Sequence, residues 1–243
     1  MANERADTSA AKGDSKAVAG LLADLRRRCA GKPAPTPLPD VAEAPRQVGA
    51  DADLRAQFRS AAEGVGAHVH EADRAGWVAL VCELAKSDGV RQVCLSAVEG
   101  GFFDAAHADA LTDALERAGV TVHRPAKSPS GANMESSDAE LFDADAGITG
   151  VFAAIAETGT VVCCSGTAQP RATSLVPPRH YAIVGAEQIL PDLVDLLPRL
   201  TAAGVPTNVN LITGPSKTAD IEGVLVTGVH GPGLVRMIVV ARG

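Results

Sequence analysis

The stretch VRQVCLSAVEGGFFDAAHADALTDALERAGVTVH (Val90–His123) decides the fold. Val90–Leu95 is a run of mostly apolar and β-branched residues, short enough for one buried strand. Asp104 can accept hydrogen bonds from the first free N–H groups of a helix, so it opens one. Ala108, Leu111 and Leu115 then recur at helical spacing, and Gly119 stops the segment. Val120–His123 is the next strand. The unit reads strand, helix, strand. Only a parallel pair with a crossover helix accommodates that order.

The same alternation extends upstream. Leu54, Phe58, Ala61 and Val65 have helical spacing, and a short strand comes next at His68–His70. Asp73 can cap a helix with Trp77, Leu80, Val81 and Leu84 on one stripe, ended by Gly89. The fold class is therefore α/β, with a mostly parallel sheet and helices on both faces. Downstream, residues 124–137 are loop-like, and a short helix fits Asp138–Phe142. Ile148–Cys164 is almost uninterrupted apolar sequence, broken around Glu157-Thr158-Gly159, and reads as two strands with a turn. Tyr181–Val184 is a strand and Ala186–Ala202 a helix, with Pro191 and Pro198 near its ends. Asn208–Thr213, Gly223–Thr227 and Leu234–Val240 are strands too close together for crossover helices, so some of their pairing is antiparallel or mixed.

Residues 1–46 stand apart from the domain at 47–243. Residues 1–16 are small and polar, the signature of a disordered tail. An amphipathic helix fits about Lys16–Cys29, with Val18, Leu21, Leu22 and Leu25 on one stripe. Residues 31–46 then hold five of the 15 prolines, which makes an extended linker.

Composition excludes several functions. The net charge of −7 and the 3% aromatic content argue against nucleic-acid binding. No apolar run approaches the ~20 residues that span a bilayer, and no signal-peptide pattern opens the chain, so it reads as cytoplasmic. The five cysteines are odd in number and lack a C-x-x-C spacing, which speaks against a disulfide framework or an iron–sulfur cluster held by this chain alone. Cys163 and Cys164 adjoin in a strand, so they point to opposite faces.

Four polar clusters sit beside apolar strands, and in open α/β sheets ligands bind beyond the strand carboxyl ends. In the first, with Thr158 and Gly159 beside it, Glu157 is a carboxylate between strands, where desolvation would raise its pKa toward the range of a general base; as a plain hairpin turn, Glu157 is solvated and Gly159 supplies the positive φ. In the second, Arg171, Ser174, Arg179 and His180 could converge on a phosphate or carboxylate, or form an ordinary loop. The third, GPSKTADIE (Gly214–Glu222), gathers Gly214, Ser216, Lys217, Thr218, Asp220 and Glu222. Its N–H groups and hydroxyls could cradle an oxyanion, or cap local backbone. It has neither the Walker nor the dinucleotide-loop spacing. In the fourth, His230 lies among glycines that permit close backbone approach; it is a candidate acid/base or a polar loop residue. Asp220, Glu222 and His230 match no familiar metal spacing, so no metal is expected.

Taken together, GITGVFAAIAETGTVV (Gly147–Val162), SLVP (Ser174–Pro177), HYAIV (His180–Val184) and ITGPSKTADIEGVLVTGVHGP (Ile212–Pro232) resemble the lactate utilization protein C family, the proteins with a LUD domain. The resemblance implies a three-layer α/β/α fold similar to ribose-5-phosphate isomerase and CoA transferases. It implies a part in oxidising L-lactate to pyruvate, as a subunit or accessory protein binding a small carboxylate or phosphate. Iron–sulfur clusters would then lie in separate iron–sulfur and oxidoreductase partner subunits. The rival is a stand-alone isomerase or acyl/CoA-transferase-like enzyme with Glu157 as base or nucleophile. A structural scaffold docking through the amino-terminal helix is a third reading.

Overall fold

The strands expected at Val90–Leu95 and Val120–His123 pair in a computed structural model, as neighbours in a six-stranded sheet. The structure describes residues 46–49, 51–98, 101–124, 135–166, 169–204, 206–218 and 226–241, with residues 20, 23–24 and 26–28 near the amino terminus. By its contacts the chain divides into Met1–Glu43 and Ala44–Gly243. In the first unit the six described residues are helical; the rest of the Lys16–Cys29 helix and the proline-rich linker up to Pro45 lie outside the described residues. The sheets and the candidate sites all belong to the second unit.

The six-stranded sheet comprises β1 (His68–Ala72), β2 (Gln92–Ser96), β3 (Thr121–His123), β4 (Ala146–Gly150), β7 (Arg179–Gly185) and β12 (Leu234–Val240). Its order is β1-β12-β7-β4-β2-β3, and every pairing is parallel. Alternation along each strand sorts side chains to two faces. Val93, Leu95, Ile148, Tyr181, Ile183 and Ile238 meet α2 (Trp77–Ser87) and α3 (Ala105–Arg117), through Val81, Ala85, Leu111 and Leu115. Trp77 packs edge-on to Phe102 and Phe103 at 5.9 and 5.8 Å between centroids. Asp104 caps α3 as expected, accepting from His107 N–H at 3.0 Å.

The opposite face is covered differently. Ala182, Val184, Met237 and Val239 pack on α1 (Leu54–Gly64), through Phe58 and Ala62, and on a second sheet. That sheet joins β5 (Ala153–Ile155), β6 (Thr160–Ser165), β8 (Ile189–Leu190) and β9 (Asn208–Ile212) in the order β8-β5-β6-β9. Its far face, with Ala153, Ile155, Val162 and Leu190, buries Leu196 of α6 (Leu193–Ala202). The short helices α4 (Glu135–Asp143) and α5 (Ala172–Leu175) flank β2 and β4. Among the described strands, β5–β6, β6–β9 and the pair β10 (Lys217–Thr218) and β11 (Val226–Thr227) are antiparallel, and for β9 and β11 this agrees with the mixed pairing expected of the last strands.

Two expected elements are corrected. Ile148–Cys164 is three strands, because the chain leaves the parallel sheet after Gly150 and enters the second sheet at Ala153. Ala186–Ala202 is not one helix. A 3-10 turn at Ala186–Gln188 leads into β8, and α6 starts afresh behind the cap Asp192. Ile189 and Leu190 bury themselves by pairing with β5, which outweighs their helical propensity. Gln188 locks both crossovers: its Nε2 donates to the Val151 carbonyl at 2.6 Å, and its Oε1 accepts from Gly185 N–H at 2.8 Å. No helix among the described residues is long and apolar enough to cross a membrane.

Candidate functional site

The four polar clusters do converge, but at the amino edge of the parallel sheet. The carboxyl-edge expectation is corrected by connectivity: Arg171–Pro178 leads into β7, and Gly228–Gly233 leads into β12. Backbone hydrogen bonds stitch them together. Gly233 N–H donates to the Pro178 carbonyl at 3.0 Å, Ser216 N–H to the Pro232 carbonyl at 2.9 Å, and Gly228 N–H to the Ser216 carbonyl at 2.8 Å. A hydroxyl chain joins the first cluster to the third, with Thr158 to Thr160 and Thr160 to Thr213 both at 2.7 Å. Gly159 (φ +64°) must be glycine for two reasons. The turn needs positive φ, and a Cβ there would overlap the backbone of Ala62 in α1. Gly214 (φ +75°) lies closely against Val65. The first and third clusters thus lie against the end of α1 and the segment that enters β1.

Several of the candidate residues are engaged internally. Ser174 is buried, and its hydroxyl donates to the Arg171 carbonyl at 3.0 Å. His180 is fully buried, with Nε2 2.9 Å from Thr149 Oγ1. Burial pushes its imidazole down to about 4, so the ring is neutral at pH 7. Lys217 donates its ammonium to the Val65 carbonyl at 2.6 Å. Thr158, Arg171 and His230 are exposed, while Glu157, Ser216, Thr218 and Arg179 are half-buried. Arg179 donates to the Asp145 carbonyl at 3.2 Å. Asp220 and Glu222 lie outside the described residues.

The engagement of Lys217 can be tested. Lys217→Met keeps the stem and removes the donor to Val65. The bond is exposed, so the loss should be about 1 kcal/mol or less in urea unfolding. A loss above about 2 kcal/mol would mean that the lysine holds more than the α1–β1 turn.

The thiols are poor metal ligands here. Burial pushes Cys94 up to about 11 and Cys163 up to about 12, far from the thiolate form. Cys163 faces Thr149 between the sheets, and Cys164 packs on the α6 side, as alternation requires. Among the described residues no group of three or more His, Cys, Asp or Glu is placed to hold a metal ion.

The carboxyl edge holds what the sequence pattern did not reveal. A cleft of about 360 Å³ lies there, bordered by Val98, Phe152, Glu187, Gln188 and Arg199. It adjoins a second of about 330 Å³ that reaches Ser165, Gly166 and Gln169. The available signal was the end of β2 at Ser96, next to a sheet edge where ligands collect. Glu187 was hidden because its segment reads as helix interior.

A six-stranded parallel sheet with helices on one face, and a helix with a small mixed sheet on the other, sets the class: an α/β protein with polar loops and clefts at the strand edges. The LUD domain model matches residues 55–240, and the chain belongs to that family. It is 30% identical over 191 residues to an uncharacterized protein of Neisseria meningitidis serogroup B, covering 76% of each chain. It is 38% identical over 128 residues to lactate utilization protein C of Macrococcus caseolyticus, covering 45% of this chain and 55% of that one. For lactate utilization protein C of Bacillus subtilis the identity is 45% over 94 residues, 37% of this chain and 39% of the relative. The matches thus span about half or less of those two relatives. The crystal structure of a DUF162 family protein from Deinococcus radiodurans superposes with a TM-score of 0.50 at 24% identity, covering 77% of this chain and 96% of that one, a likeness of fold.

Proposed function

We propose that this protein is a component of a lactate-utilization system that supports the oxidation of L-lactate to pyruvate. The observation that carries the reading is membership of the LUD family together with relatives named lactate utilization protein C at 38% and 45% identity. In this reading the chain is an accessory subunit. Iron–sulfur clusters and the oxidising centre belong to separate partner subunits, which suits a chain whose buried thiols Cys94 and Cys163 stay protonated. The ligand is a small carboxylate or phosphate taken at the amino-edge face. Arg171 supplies charge there, and Thr158, Ser216 and Thr218 supply hydroxyls. Among the described residues, Glu157 and His230 are the candidates on that face to move a proton.

Deleting the gene in its own host should abolish growth on L-lactate as sole carbon source, and the intact gene should restore it. The isolated chain should oxidise no L-lactate with an artificial electron acceptor; robust turnover would sink the accessory reading. Glu157→Gln should leave the melting temperature unchanged within a few degrees and cut lactate-dependent growth. Full complementation by that variant would remove Glu157 from the site.

A further inference from the structure

We propose that the carboxyl-edge cleft binds a short-chain carboxylate that carries a hydrogen-bond donor on the adjacent carbon. This site is separate from the amino-edge face and does not depend on it. The cleft opens beyond the ends of β2 and β7, where open α/β sheets take ligands. It is bordered by Val98, Gly101, Phe152, Glu187, Gln188 and Arg199.

The polar groups divide into engaged and free. Gln188 is spent on the two crossovers, so it is a rigid wall. Glu187 is not spent: its Oε2 is buried and has no protein hydrogen-bond partner among the described residues. A buried acceptor without a donor is costly, and more so when charged. A ligand donor reaching that oxygen offsets this cost. Its other oxygen lies over Gly185, a position where the absence of a Cβ leaves room for the carboxylate.

Arg199 borders the same cleft from α6 and is exposed. Among the described residues no ion pair joins it to Glu187. Two opposite charges therefore border one cleft without pairing with each other. The guanidinium fork matches a ligand carboxylate, and Glu187 matches a hydroxyl or ammonium on the next carbon. The two clefts share Val98, Phe152 and Ala203, an apolar waist suited to an alkyl chain. The first cleft alone, at about 360 Å³, holds roughly a dozen waters at about 30 Å³ each. L-Lactate would leave most of it unfilled, so the fit favours a longer chain. At the far end Ser165 Oγ is also buried without a protein partner among the described residues.

The test is a protein-observed NMR titration of the full chain with four probes: L-2-hydroxyhexanoate, L-norleucine, hexanoate and L-lactate. The first two carry carboxylate, donor and chain, and their relative affinity tells whether the donor is a hydroxyl or an ammonium. Hexanoate, lacking the donor, should bind at least tenfold more weakly, and L-lactate, lacking the chain, should also be weaker. Glu187→Met should bring the donor-bearing probes down to the affinity of hexanoate. Arg199→Gln, on the exposed side of a helix, should weaken all four at least tenfold without affecting folding. Glu157→Gln, at the other edge, should change none of them. The proposal is overturned if no probe binds, if hexanoate binds as well as L-2-hydroxyhexanoate, or if Arg199→Gln binds like the parent. Loss of lactate-dependent growth in a deletion strain is a separate readout, so either idea can fail alone.

Discussion

Replacing Asp88 with alanine is expected to lower the unfolding free energy by about 3–5 kcal/mol, the usual cost of orphaning a buried charge. Asp88 ends α2, and its carboxylate takes a bidentate grip from Arg236 of β12, from Nε at 2.7 Å and Nη2 at 2.5 Å. The two side chains are only 10% and 14% exposed, so solvent screens them little. The Tyr181 hydroxyl of β7 also donates to Asp88, and Arg236 Nη1 lies 2.9 Å from His70 Nε2 of β1. One carboxylate therefore ties a helix to β12 and β7, and Arg236 extends the link to β1. Burial alone would raise the Asp88 carboxyl, but the bonds from Arg236 and Tyr181 hold it below its ordinary value of 3.8. The stability it contributes is present above about pH 4 and is lost as pH falls through the lower folded value.

Urea unfolding followed by the fluorescence of Trp77, the single tryptophan, measures this directly. It is 2% exposed, so unfolding moves it into water. The double variant Asp88→Ala/Arg236→Met should be more stable than Asp88→Ala, because it removes the stranded guanidinium. A loss below about 1 kcal/mol in the single variant would mean that the pair is solvated in solution.

The second large effect is a fall in stability of about 3 kcal/mol on moving from pH 7 to pH 4, assigned to His180. Its ring has a folded pKa of about 4 against 6.5 for a free histidine. Between these values the unfolded chain binds a proton that the folded chain excludes, so acid favours unfolding. The gap of about 2.5 units corresponds to about 3 kcal/mol at 1.36 kcal/mol per unit. His70 is lowered as well, first by burial and then by Arg236, and acts in the same direction. Asp88 acts below about pH 4, outside the window. Stability measured at intervals from pH 7 to about 4.5 should slope downward, and His180→Gln should flatten most of that slope. An unchanged slope in the variant would falsify the assignment.

Local order was legible where one residue type decides it. Asp104 caps α3, and the Ala108, Leu111, Leu115 stripe is buried as its spacing requires. The strands around it alternate with helices, which forces parallel pairing. Ile148–Cys164 was harder, because both faces of its strands are buried and no polar face marks the change of sheet at Val151-Phe152. The Ala186–Ala202 segment misled for a related reason: Ile189 and Leu190 would suit a helix or a strand, and only the neighbouring β5 selects strand.

The candidate sites divide in the same way. The four polar clusters are loops by composition, and the family-like segments carry them in order. That much needs no structure. Which of their groups stay free is a tertiary matter. His180 opens an apolar strand and looks available, yet it is buried on Thr149. Lys217 looks like an anion ligand, yet it holds a carbonyl 152 residues away in sequence. Glu187 looks like a helical surface residue, yet it lines a cleft. Alternation, caps and turn glycines are set by neighbours along the chain, so the class of fold and its polar loops could be read from residue order. Burial and hydrogen-bond partners come from residues far apart in sequence, so it took the packed chain to settle which edge each loop occupies and which polar atoms are left for a ligand.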